Sequence, residues 1–323
     1  TYAQKDGVSV VAGGLPFELD GDLPTITQPY CRPVVVLDSA TAGGSTAASG
    51  NGFSVLAIYR WIDAAGRLHR SAPSAAVASG LFNTQQLDVY VSQMPFEPFT
   101  NTGTSRKYSV EVYITADGGS VYYLANTAGG DQHTAYSSGE GYWKFSDVLA
   151  GVSTNAQIYT TGDPSEAIPS DATPAFQAIC TVGDRMFAID AEDRSRIWFS
   201  KPFEAGYAVE WNTRCTLFIG DQGVGISDVG GIPTVFCERG IWQIYGEGPN
   251  ALNQGSFAPA RRLPHEVACL DARSVCKTPV GVAFRSRQGV MLLDNGLALQ
   301  NIGRSIDAFS ISGALSGYSK FAY

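Results

Sequence analysis

Three stretches in the second half of the chain follow one plan, and that repeat constrains the fold more than any other feature. They are VGDRMFAIDAEDRSRIWFSKP (182–202), GIPTVFCERGIWQIYGEGP (231–249) and TPVGVAFRSRQGVMLLDNG (278–296). Each carries a β-rich segment, a polar turn containing Arg, and a second β-rich segment that closes on Pro or Gly. Aligning Gly240-Ile241-Trp242 with Gly289-Val290-Met291 gives a spacing of 49 residues. Aligning Arg196-Ile197-Trp198 with Arg239-Gly240-Ile241 or its neighbour gives 43 to 44. A hairpin unit recurring in the mid-to-upper forties has the period of a β-propeller blade. A ring normally takes at least four blades. Further blades are therefore expected, and a chain that starts at Thr1 inside a strand pattern is expected to be part of a longer product.

The first half is also strand-rich. DGVSVVAGGLPFELDGD (6–22) holds a strand at Val8–Val11, a Gly13-Gly14 break and a second short apolar piece from Leu15 to Leu19, which is hairpin chemistry. The tract TAGGSTAASGNG (41–52) reads as a flexible loop or boundary. FSVLAIYRWID (53–63) is apolar on both faces, as an interior strand of a sandwich requires. After the turn AAGR, LHRSAPSAAVA (68–78) returns along it. QLDVYVS points Leu87, Val89 and Val91 one way, and KYSVEVYIT does the same with Tyr108, Val110, Val112 and Ile114. The turn ADGG and the strand SVYYLAN (120–126) complete a hairpin. Strands at this spacing predict a β-sandwich of about 100 residues. The Cys…Trp…Cys pattern of antibody domains is missing, so a fibronectin type III-like sandwich is expected. TTGDPSEAIPSDATPAF (160–176) reads as a linker. The expected layout is all-β: first propeller strands at 1–40, an inserted sandwich at 41–165, and propeller blades at 166–323.

Composition narrows the function classes. Charged residues make up 16% of the chain, against about 25% in ordinary soluble proteins. Arg outnumbers Lys sixteen to six. Both features suit surfaces buried against partners, or reflect a GC-rich genome. The net charge of −8 argues against a basic groove that grips nucleic acid, while an acidic wall past which DNA slides is compatible with it. Six cysteines at 31, 180, 215, 237, 269 and 276 form no CxxC, so reduced, mostly buried thiols are expected rather than disulfides or zinc. No apolar run reaches the roughly 18 residues of a membrane span.

Catalytic patterns are missing. His69, His133 and His265 are far apart, and no GxSxG, HExxH, P-loop or post-strand GxGxxG occurs. GDQGVG (220–225) lacks the Lys that a phosphate cradle needs and reads as a turn. Asp190, Glu192 and Asp193 offer oxygens that suit calcium, but Arg194 and Arg196 follow at once, so a solvated hairpin tip is expected. SDVGG (227–231) resembles the Asp box of sialidases with the wrong spacing and no Trp. No enzyme activity, cofactor or metal is expected. The stretch YSSGEGYW (136–143), with Tyr122 and Tyr123 nearby, is an aromatic loop with Gly hinges. Tyr136, Tyr142 and Trp143 are either glycan or partner contacts or an aromatic plug at a sandwich end.

One segment is more specific. LPHEVACLDARSVCKTPVGVAFRSRQGVMLLDNG (263–296) carries Ala268-Cys269, Arg273-Ser274-Val275, Thr278-Pro279, Gly281-Val282, Phe284, Ser286, Gly289-Val290 and Leu292-Leu293. In this order the residues resemble a segment that recurs in phage virion proteins. DRMFAIDAEDRSRIWFSKPFEAGYAVEWN (184–212) resembles the preceding blade of such proteins. AGGLPFELDG (12–21) is similar to the entry to their first blades, and AIYRWIDAAGRLHRSAPS (57–74) to their inserted sandwich. The family is the podophage tail nozzle proteins, tail tubular protein B-like, with related propeller-bearing tail proteins. The resemblance implies a propeller carrying an inserted sandwich, assembled as a ring of copies (six in the nozzle case) around the DNA exit channel. It also implies neighbouring tail or head–tail connector proteins as partners and the virion as location. A host-surface glycan-binding tail module is the alternative. The chain is far shorter than a full nozzle subunit, and Ala268 stands where Gly is commoner. Read physically, Thr278-Pro279 sets a turn before a strand. Gly281 and Gly289 supply turn or bulge conformations. Val282, Phe284, Val290, Leu292 and Leu293 are core candidates. Arg273 and Ser274 either satisfy carbonyls between blades or, for Arg273, face solvent.

Overall fold

The computed structural model describes residues 1–5, 8–19, 24–26, 32–40, 52–62, 66–78, 86–92, 108–116, 118–125, 142–145, 173–250 and 254–303. Among them the chain is all-β, with one turn of 3-10 helix at Ala272–Ser274 and no α-helix. The first residues form a four-stranded antiparallel meander of β1 (Tyr2–Lys5), β2 (Val8–Val11), β3 (Phe17–Leu19) and β4 (Pro24–Ile26). Paired residues in such a ladder share a face. Ala3, Val10 and Glu18 therefore form one row, and Tyr2, Val11 and Phe17 a row on the opposite face.

A second group of strands follows. β5 (Val35–Ala40), β9 (Gln86–Ser92) and β12 (Tyr142–Phe145) form a three-stranded sheet. β6 (Ser54–Ile62), β7 (Leu68–Arg70), β8 (Val77–Ala78), β10 (Tyr108–Thr115) and β11 (Tyr122–Leu124) form a five-stranded one. The alternation expected of Leu87, Val89 and Val91, and of Val110, Val112 and Ile114, is realised. These residues meet Val55, Ala57 and Tyr59 of β6 in one core between the sheets. On the other face of β6, Leu56 and Ile58 pack with Tyr113. The Tyr59 hydroxyl donates to the Ser92 carbonyl at 2.7 Å, so this buried phenol is satisfied. Val35–Ala40 was expected among the first strands, yet it pairs with β9 across six positions and belongs to this group.

The three repeats are antiparallel hairpins. They are β14–β15 (Arg185–Asp190 and Arg196–Phe199), β18–β19 (Ile232–Cys237 and Ile241–Gln243) and β22–β23 (Gly281–Ser286 and Gly289–Asp294). Each acquires a strand on either side. β13 (Phe176–Val182) and β16 (Thr216–Phe218) complete a second meander, β17 (Gly223–Val229) and β20 (Arg261–Arg262) a third, and β21 (Cys276–Thr278) and β24 (Leu299–Asn301) a fourth.

The four meanders stack face to face in chain order. Ala3 and Val10 pack on Phe176, Ile179, Met186, Ala188 and Trp198. The opposite face of the second sheet, with Phe187, Ile189, Ile197 and Phe199, meets Ile226, Val235 and Cys237 of the third. The remaining face of the third, with Val224, Phe236 and Ile241, meets Val282, Phe284, Met291 and Leu293 of the fourth. This explains why the β14 sequence, Arg-Met-Phe-Ala-Ile-Asp, is buried at all six positions instead of alternating. In the fourth sheet Val282, Phe284 and Leu293 are core as expected, but Val290 and Leu292 are not. They point to the far face and are half-buried, and Met291 takes the core place beside Phe284.

Candidate functional site

Adjacent sheets touch through their first strands, β1 on β13, β13 on β17 and β17 on β21. Side chains on these strands bond to the neighbouring backbone. Thr1 Oγ1 accepts from the Ile179 N–H at 2.9 Å, and Thr181 Oγ1 donates to the Gln4 carbonyl at 3.0 Å. Gln177 Nε2 donates to the Val224 carbonyl at 3.1 Å. Lys277 on β21 reaches Asp228 on β17 at 2.6 Å. The chemistry of this seam recurs from junction to junction and joins one sheet to the next.

A second polar feature lies where three parts of the fold meet. Glu18 faces inward from β3 and is buried, as are Arg67 and His69 around β7. Glu18 Oε2 stands 3.7 Å from His69 Nε2 and 4.0 Å from Arg67 Nη2. Between Arg67 and His69, the Leu68 N–H donates to the Gly206 carbonyl at 2.8 Å, and the Ala208 N–H donates to the Leu68 carbonyl at 3.0 Å. The loop after β15 thus grips β7 while Glu18 meets the side chains that flank it. Buried charges are retained where opposite charges and hydrogen bonds compensate their desolvation. Arg67 and His69, two apart and so on one side of the chain, were the sequence signal for this junction. Nothing local pointed to Glu18 as their partner.

The second sheet holds further buried ions. Lys201 and Glu210 pair at 2.9 Å with both side chains nearly inaccessible. The Arg185 guanidinium lies 5.8 Å from the Phe199 ring centre and 5.7 Å from that of Phe257. It donates to the Ser200 and Pro249 carbonyls, and burial draws its pKa below the ordinary value. Asp190, expected at a solvated hairpin tip, is instead buried. One of its oxygens accepts the Glu192 and Asp193 N–H groups, and the other accepts the Trp198 indole N–H at 3.0 Å. The carboxylate closes the β14–β15 turn.

Arg273 is exposed and pairs with Asp271 at 2.9 Å, while Ser274 Oγ donates to the Asp271 carbonyl and accepts from the Arg285 N–H. Among the described residues, five cysteines are free thiols: Cys215, Cys237 and Cys269 buried, Cys180 half-buried and Cys276 exposed. Burial pushes the Cys237 and Cys269 thiols above the ordinary range. His265 Nε2 lies 2.8 Å from the Leu297 carbonyl. No group of three or more His, Cys, Asp or Glu is placed to hold a metal ion among the described residues.

Tyr142 and Trp143 lie on β12 at the margin of the three-stranded sheet, opposite Ser92 and Val91 of β9. Tyr136 and His133 lie outside the described residues. Among the described residues, no helix is long and apolar enough to cross a membrane. No protein-family model matches the chain, and no curated protein matches it.

Proposed function

We propose that the chain is a non-catalytic structural protein of a bacteriophage tail, a component of a nozzle or tube ring around the DNA exit channel. In this reading the stacked meanders are blades of a β-propeller, and the face-to-face pair of sheets is an inserted fibronectin type III-like sandwich. The observation that carries it is the run of four four-stranded meanders stacked through their first strands. The ordered likeness of 263–296 to a phage virion segment supports it further. Copies of the chain surround the channel and contact other tail or head–tail connector proteins. DNA is cargo, and the net charge of −8 keeps it from adhering to the wall. In this reading the buried Glu18, Arg67 and His69 join the inserted unit to the stack.

The test is location. Purified virions of the phage that encodes the chain are digested for mass spectrometry and labelled with gold-conjugated antibody. Peptides from the chain in stoichiometric multiples, with gold at the tail, are expected. Absence from the particle refutes the reading.

A further inference from the structure

The turn between β23 and β24 reads Asp294-Asn295-Gly296-Leu297-Ala298. Three hydrogen bonds frame it as a three-residue loop. The Asp294 N–H donates to the Ala298 carbonyl at 2.9 Å and the Leu297 N–H to the Asp294 carbonyl at 3.0 Å. Asp294 Oδ1 accepts the Ala298 N–H at 2.8 Å. A loop of this length closes through a left-handed residue at its third position, a place suited to glycine. Here the glycine stands one position early. Leu297 takes the left-handed conformation instead, with φ +68°, the one positive φ of a non-glycine residue among the described residues. The His265 Nε2–H donates to the Leu297 carbonyl at 2.8 Å and holds it there.

Asn295 and Gly296 are both exposed. Among the described residues the Gly296 N–H meets no hydrogen-bond acceptor, and glycine has no side chain to crowd its nitrogen. The Asn295 carboxamide makes one long contact, Nδ2 donating to the Pro279 carbonyl at 3.4 Å. Asn212 and Asn301 lack this combination. Each precedes a β-branched residue, Thr213 or Ile302, and each carboxamide is held more closely. Asn212 Oδ1 accepts the Arg214 N–H at 2.7 Å, and Asn301 Nδ2 donates to the Gln288 carbonyl at 2.8 Å.

We propose that Asn295 is a site of spontaneous covalent modification, at which the Gly296 nitrogen attacks the side-chain carboxamide and the residue becomes isoaspartate or aspartate. Gly296 N gives its proton to hydroxide and bonds to Asn295 Cγ, which closes a five-membered succinimide. The Cγ–Nδ2 bond breaks, and Nδ2 takes a proton from water and departs as ammonia. Water then opens the ring. Addition at Cγ yields aspartate, and addition at the backbone carbonyl carbon yields isoaspartate, whose main chain runs through Cβ and Cγ. Water is the one co-reactant. The reacting atoms meet when the loop rotates out of its present conformation, and strain at Leu297 lowers the cost of that rotation.

The position gives the reaction a structural effect. The Asn295 N–H donates to the Val280 carbonyl at 3.1 Å. Its own carbonyl oxygen packs on Gly230, where an added Cβ would lie 3.2 Å away. The loop thus ties the fourth sheet to the β17–β18 turn of the third. Isoaspartate inserts one carbon between these two contacts, so both cannot be kept, and its carboxylate stands next to Asp294 in the chain. β24 loses its anchor.

The test uses the full chain, incubated at about 37 °C at pH 6 and pH 7 and sampled over weeks. Peptide mapping by mass spectrometry follows residue 295, and a protein isoaspartate methyltransferase counts isoaspartate. Asn51, which also precedes a glycine, lies outside the described residues and maps to a separate peptide. Conversion at 295 is expected to outpace that at Asn212 and Asn301. It is expected to run about tenfold faster at pH 7 than at pH 6, because the deprotonated fraction of a group far below its pKa rises about tenfold per pH unit. In Gly296→Ala the methyl stands 3.3 Å from Asp294 Oδ1, on a side chain that can shift, and no positive φ is required. This variant is expected to keep its asparagine over the interval in which half of the wild type converts. His265→Ala frees the Leu297 carbonyl and is expected to convert several-fold faster. Aged wild type should exchange amide hydrogens faster across 289–301 than fresh protein, and aged Gly296→Ala should not. If residue 295 converts no faster than Asn301, or only in denaturant, the fold protects the asparagine and the inference is overturned. Equal rates in wild type and Gly296→Ala overturn it as well.

Discussion

Replacing Gly281 by alanine isolates the tightest backbone approach in the fourth sheet. Gly281 begins β22 with φ +154°, opposite Thr278 on one side and Asp294 on the other. A methyl group there would overlap the Leu293 carbonyl oxygen and stand 2.6 Å from Asp294 Cα and 2.9 Å from the Leu293 carbonyl carbon. These are backbone atoms of the paired strand, so no rotamer change relieves the overlap. β22 must move away from β23. That loosens ladder hydrogen bonds worth about 1 kcal/mol each, and it parts Val282 from Leu293, both fully buried. Loss of two bonds and part of that packing gives about 3–4 kcal/mol, at the upper end for a point change. Gly231→Ala is the control. Its φ is +84° and an added methyl meets nothing within 4 Å, so only left-handed strain of about 1–2 kcal/mol applies. Urea unfolding followed by tryptophan fluorescence measures both, and hydrogen exchange across 276–301 localises the loss. If the two variants unfold within about 0.5 kcal/mol of each other, the overlap argument is wrong.

Other substitutions probe the buried charges. Asp190→Ala deprives two backbone N–H groups and the Trp198 indole of their acceptor and should cost about 2–4 kcal/mol; Asp190→Asn should recover part of it, as read by thermal unfolding. Lys201→Met removes the buried ammonium paired with Glu210 and should cost about 2–4 kcal/mol, whereas Lys201→Met with Glu210→Met should recover part of that loss in a double-mutant cycle. The Arg273 side chain holds the Asp271 carboxyl below its ordinary pKa. That contribution is therefore fully present above about pH 4 and is lost as pH falls below it. Asp271→Asn keeps the turn's cap, so its deficit relative to wild type should be constant from pH 5 to 7 and shrink toward pH 3. Alkylation at pH 8 with mass-spectrometric mapping should modify Cys276 and leave Cys215, Cys237 and Cys269 unreacted until denaturant is added, because burial keeps the reagent from their sulfur atoms.

Hairpins were readable because turn chemistry and β-rich flanks are local. The three repeated segments contained their own partners, and Val8–Val11 and Ser54–Ile62 were bounded by glycines or turns. Facing was readable only where apolar and polar residues alternate, as in β9 and β10. In Val290-Met291-Leu292-Leu293 every position is apolar, so either parity fits, and the choice falls to the third sheet, whose Phe236 meets Phe284 at 4.9 Å between ring centres. Asp190 looked solvated because four charged residues crowd 190–194, yet Trp198, eight residues on, supplies a buried donor. Glu18 and His69 are fifty-one residues apart in sequence, and periodicity assigns a side to each without saying what stands opposite. For the candidate contacts, the sequence named aromatic residues, of which Tyr142 and Trp143 fall on a sheet margin. The seam was invisible, since Thr, Gln, Lys and Asp at first strands resemble ordinary surface residues.

Because, among the described residues of the stack, each meander packs its apolar faces on the meander before and the one after, the stability of the stack resembles that of a linear array. Within the stack the second and third sheets are packed on both faces and the first and fourth on one. Opening should therefore begin at the ends and work inward, a gradient of protection along the chain rather than a single all-or-none event. Any partner that caps an end would act on the whole molecule by closing the point where fraying starts.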